Sequence, residues 1–139
     1  MIEFSATHHV SRAVAIMLER LVSNNISSSE QLAFMTVSET YNILTSVADK
    51  DYKTDEIRSR SLSYQDLHAV ITDRLPPKLA DMRLQVPDYR VDALASAAID
   101  AVRELLKQNN GLTVQGLKLY HTFRAEDDNI TIGSSPIRA

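Results

Sequence analysis

Apolar positions in this chain recur mainly at helical spacing up to residue 111 and alternate with polar ones after it. From Ser5 to Val22, the residues Val10, Ala13, Val14, Met17, Leu18 and Leu21 fall on one stripe, with Arg12, Glu19, Arg20 and Ser23 off it. That spacing predicts a first helix, ended by Asn24 and Asn25. Before it, Ile2 and Phe4 alternate with Glu3, as a short strand would. Ser27 and Glu30 make a capping box that predicts a second helix from there to about Asp49. Its apolar side chains run from Leu32 to Ala48 and cover an arc of roughly 260°, and Glu39 is the only charge between Gln31 and Ala48. An ordinary surface helix buries a narrower stripe, so this one is either enclosed by its own domain or shared with another chain.

Residues 50–61 carry Lys50, Lys53, Arg58 and Arg60 against Asp51, Asp55 and Glu56, which reads as an exposed loop. A third helix follows with Ser63 as N-cap, Asp66 at the third position and Leu62 placed to staple against Leu67. Pro76 and Pro77 are expected to stop it. Over 77–86 two patterns compete: Leu79 and Met82 suit a helical turn, whereas Met82, Leu84 and Val86 alternate as an extended segment does. The fourth helix is capped by Asp88 and ended by Asn109, Asn110 and Gly111, with an apolar stripe of roughly 140°. After Gly111, Leu117, Leu119, His121 and Phe123 alternate with polar residues, and Glu126 to Asn129 mark the turn of a β-hairpin. Residues 133–139 read as a flexible tail.

These elements predict a mainly α fold, a compact four-helix domain over 1–139 with a small C-terminal β-hairpin. It becomes α+β if the N-terminal strand joins the hairpin. The second helix is expected at the centre and the fourth along one side. Composition agrees with one globular domain: 139 residues, 44% hydrophobic and 24% charged. Without cysteine, disulfides, thiolate catalysis and Cys-ligated metal sites are excluded, and the chain suits a reducing cytoplasm. Fifteen Lys and Arg against eighteen Asp and Glu leave a net charge of -3, with no basic excess for a nucleic-acid backbone. The longest apolar run, Ala13 to Leu18, is six residues, and Met1-Ile2-Glu3 lacks a signal peptide's basic region, so neither a membrane span nor secretion is expected.

Candidate chemistry changes this picture little. The stretch Gln31 to Ser38 resembles part of a helix-turn-helix, but Val37 stands where the turn glycine belongs, and Ser38 to Ala48 has no Lys or Arg to read DNA. His8 and His9 are neighbours on different helix faces, and His68 and His121 are isolated, so no metal ligand set is indicated. Asp66 and His68 lie two apart on a helix and do not face each other. Only Gly111, Gly116 and Gly133 exist, too few for a phosphate-cradling loop, and no nucleophile elbow is present. Asp127 with Asp128 reads as a solvated turn, and Arg58-Ser59-Arg60-Ser61 as a solvated loop. No catalytic residue, cofactor, metal or small-molecule ligand is inferred. The expected function is therefore a non-enzymatic protein–protein interaction or assembly module, a homodimer or bound to another protein. It would act through the apolar second helix, with Phe34, Met35 and Tyr41 as contact residues. A small enzyme with a spatially assembled site is the alternative, and a helix-turn-helix-like DNA-binding regulator the third reading.

Overall fold

The computed structural model of the protein describes residues 2–26, 28–50, 58–115 and 119–136. In chain order the elements are α1 (Ile2–Ser23), α2 (Glu30–Lys50), β1 (Arg58–Ser63), α3 (Tyr64–Asp81), α4 (Asp88–Gln108), β2 (Leu112–Gln115), β3 (Leu119–Glu126) and β4 (Asn129–Pro136). The fold is mainly α with a small antiparallel sheet of strand order β1-β4-β3-β2. Buried residues from all four helices and from β2, β3 and β4 form one apolar cluster.

The expected N-terminal strand is the first turn of α1 instead. Three alternating residues carry little period information, and extending an existing helix by a turn adds one hydrogen bond for each residue fixed. Helix α2 begins at Glu30, where the Ser29 hydroxyl accepts from the Leu32 N–H at 3.2 Å; the capping serine expected at Ser27 lies outside the described residues. Helix α3 starts as expected, with the Ser63 hydroxyl accepting from the Asp66 N–H at 3.1 Å.

It does not stop at the prolines. Leu67, Ile71, Leu75 and Leu79 are all buried at four-residue intervals, so the stripe continues across Pro76 and Pro77 to Asp81. Two backbone donors are missing there, and the burial of Leu75 and Leu79 on either side offsets that loss. Residues 77–86 thus divide: helix to Asp81, then an irregular segment.

Three helices end in the same motif. Ile26 N–H bonds Leu21 C=O, Leu84 N–H bonds Leu79 C=O and Gly111 N–H bonds Leu106 C=O, each at 2.8 Å. The residues that turn the chain, Asn25, Arg83 and Asn110, have φ of 60°, 59° and 57°. Asparagine tolerates that left-handed conformation better than arginine does. At the other end of α4 the N-cap is Pro87, whose carbonyl accepts from Arg90 and Val91; Asp88, expected as the cap, is the first helical residue and lies by the positive end of the helix dipole.

The β3–β4 hairpin forms where expected, with Glu126 opposite Asn129 and Asp127 at φ 51° in the two-residue turn. Its flanking partners are β1 and β2. Strand β1 takes residues 58–61 from the segment expected to be an exposed loop, whose residues 51–57 lie outside the described set. Strand β4 likewise takes residues 133–136 from the expected tail. Apolar content is low in β1, as is common for edge strands, and its pairing with β4 rests on the backbone. One sheet face carries the buried Leu112, His121, Phe123, Ile130, Ile132 and Ser134 and packs on the helices, β3 against α4 and β4 against α2.

The central helix is α4, not α2. It packs on α1, α2, α3 and β3 and buries ten side chains. Ala95, Ala97, Ala98 and Ala101 are among them. Alanines at the flanks of the stripe let neighbouring backbones approach, which widens the buried arc beyond that drawn by the large residues.

Candidate functional site

The helices alternate in direction. Residues of α1 near His9 border Leu112 and Thr113 of β2, and Tyr64 at the start of α3 donates its backbone N–H to Asp128 C=O in the hairpin turn. Down the α3–α4 pair, Tyr64 Oη lies 3.5 Å from Ser96 C=O and His68 Nε2 3.2 Å from Asp92 C=O, as antiparallel helices require. The α1–α2 and α3–α4 connections therefore lie away from the sheet.

Phe34, Met35 and Tyr41 are not equivalent in this arrangement. Phe34 is 52% exposed on the second turn of α2, whereas Met35 and Tyr41 are half-buried against the core. The Tyr41 hydroxyl is buried and, among the described residues, lacks a hydrogen-bond partner, and desolvation raises its pKa well above the ordinary tyrosine value. Phe34 and Tyr41 thus share a helix side without sharing exposure. Among the described residues, the other large apolar side chains left in water are Val22 (71%), Met82 (48%) and Tyr89 (76%). With Phe34 they occupy the last turn of α1, the second turn of α2, the C-cap of α3 and the first turn of α4.

Glu39, the one charge in the apolar stretch of α2, is 2% exposed. It is met by Lys78 Nζ and, at 3.9 Å, by Arg74 Nη1, two cations one turn apart on α3. The cations are about half exposed, so this is a buried carboxylate reached by solvated partners that fixes α2 against α3. The neighbouring buried hydroxyls of Thr36 and Thr40 donate to carbonyls of their own helix, Leu32 at 2.7 Å and Thr36 at 2.9 Å.

The histidines separate by environment. His68 stacks on Tyr64 with ring centroids 6.3 Å apart and is not set against Asp66, whose N–H serves the Ser63 cap. His121 Nδ1 lies 3.0 Å from Ser134 Oγ across the β3–β4 pair, a contact that spacing alone does not disclose. Both residues are at most 5% exposed and belong to the core face, out of reach of a substrate. His8 and His9, expected on different helix faces, line one cleft with Arg12 of α1 and Thr113 of β2. Burial first, then the charges of Arg12 and His8, hold the His9 pKa below the ordinary histidine value.

Asp127 and Asp128 are exposed in the hairpin turn, and the side chains of Arg58 and Arg60 lie outside the described set. Among the described residues no group of three His, Asp or Glu converges for a metal, and no helix is long and apolar enough to cross a membrane. Family models, curated proteins and solved structures were each compared with the chain, and none matches it.

Proposed function

We propose that the protein is a non-enzymatic interaction module of the cytoplasm that assembles as a homodimer or docks another protein through an apolar side of α2, with Phe34 as its exposed anchor. The observation that carries this reading is Phe34, an aromatic side chain 52% exposed on α2. Single exposed apolar residues are ordinary on a protein surface, but aromatic side chains are common anchors of interfaces. Phe34 is the first contact to test. Met35 and Tyr41 are half-buried against the core and so offer less surface to a partner than Phe34 does.

The test is molar mass in solution over a range of concentrations, for the natural chain and for Phe34→Asp. Association that is concentration-dependent in the natural chain and lost in a folded Phe34→Asp variant supports the proposal. A natural chain that is monomeric throughout overturns self-association, and a variant with unchanged association overturns the role of Phe34.

A further inference from the structure

The cleft between the first half of α1, the last turn of α4 and the start of β2 has a volume of about 390 Å³ and is lined by His8, His9, Arg12, Asn109, Gly111 and Thr113, among others. No described carboxylate lines it. Arg12 is exposed there and, among the described residues, makes no hydrogen bond or ion pair, whereas Arg20 two turns on is paired with Glu104 at 2.9 Å. His8 already has an interaction within the chain, so the argument rests on Arg12 and His9.

His9 Nδ1 is buried and, among the described residues, has no hydrogen-bond partner. A proton on that nitrogen would bury an unpaired N–H, which is costlier than burying a bare lone pair. The neutral ring therefore carries its proton on Nε2. This gives the cleft a neutral donor beside a permanent guanidinium; the Thr113 hydroxyl lies 3.4 Å from that of Thr122 on the sheet face turned away from the helices and takes no part. The adjacent end of α4 opposes an anion only weakly, because Asn110 and Gly111 already donate to the carbonyls of Lys107 and Leu106.

We propose that this cleft binds the phosphate of a small-molecule phosphate monoester, with Arg12 pairing its charge and His9 Nε2–H donating to one of its oxygens. A phosphate offers three terminal oxygens and close to two negative charges at neutral pH, which suits a guanidinium beside an imidazole N–H better than a carboxylate does. The volume lies at the low end of the ligand-pocket range, roughly 300 to 1,000 Å³, and leaves room for a small organic group beside the phosphate.

The experiment titrates the full chain with glycerol phosphate, inorganic phosphate and acetate at constant ionic strength, following affinity by calorimetry and the His9 ring by NMR. Expected is saturable binding of glycerol phosphate, weaker binding of acetate, and a shift of the His9 Cε1–H signal with the same midpoint. Arg12→Gln, a change at an exposed position, should fold normally and bind at least about tenfold more weakly. Absence of saturable binding, equal affinity for acetate, binding without a His9 shift, or undiminished affinity in Arg12→Gln overturns the site. A phosphoserine peptide preferred over glycerol phosphate overturns the small-molecule assignment. Because neither readout depends on association, the outcome is independent of the interaction proposal above.

Discussion

Helices α2 and α4 are each 21 residues long, yet they enter the core in different ways. The ten residues that α4 buries are all apolar, and four of them are alanines. Helix α2 has fewer charged residues than α4, but it buries Thr36, Glu39 and Thr40 while leaving Phe34 half in water. An apolar arc records what each side chain would prefer; burial records where neighbours stand. Small residues let α4 sit among α1, α2, α3 and β3, whereas α2 needs cations from α3 to bury its carboxylate.

If α4 is the hub, Leu105→Ala, at a fully buried position, should show the largest loss of stability of those considered, about 2 to 5 kcal/mol in denaturant unfolding. A loss under about 1 kcal/mol would return the central role to α2. The polar side of the comparison is sharpened by an asymmetry. Lys78→Met leaves the Glu39 carboxylate buried with only Arg74 near it and should cost about 2 to 3 kcal/mol, while Glu39→Met frees two half-exposed cations to water and should stay within about 1 kcal/mol of the natural chain. Equal losses would mean that the carboxylate is not desolvated as its burial implies.

The two distal connections can be compared in the same way. The chain turns toward α2 at Asn25 and toward α4 at Arg83, both with positive φ. Arg83→Gly should raise stability by about 0.5 to 1 kcal/mol, since glycine adopts that conformation without the Cβ penalty; a loss would show that the arginine side chain has a packing role there. Smallest in stability terms is Phe34→Asp, expected within about 0.5 kcal/mol because the residue is 52% exposed. Unfolding of that variant would place Phe34 in the core and remove the distinction drawn here between it and Tyr41.

What was legible in the sequence was local. Ser63 caps α3 through a hydroxyl three residues from the N–H it serves, and the Glu126–Asn129 turn closes a hairpin of adjacent segments. Asn110 ends α4 because a left-handed residue must follow the last helical carbonyls. Phe34 and Tyr41 both belong to the apolar arc of the second helix, and membership of that arc says nothing about how deeply each sits. The His9–Arg12 cleft was not legible, because two of its walls come from α4 and β2, about a hundred residues further along the chain.

By itself the sequence determined the helical and alternating stretches, three of the four helix bodies to within a few residues, and the absence of any cysteine chemistry. Tertiary structure decided what depends on neighbours distant in the chain. Burial at Leu79 carried α3 past two prolines that local rules read as a stop. Backbone pairing with β4 turned the polar segment Arg58–Ser63 into a strand. Lys78 and Arg74 made a buried Glu39 tolerable. Caps and turns act over three to five residues and leave their signature in order of sequence, whereas packing and ion pairing act over a few ångströms in space, whatever the separation along the chain.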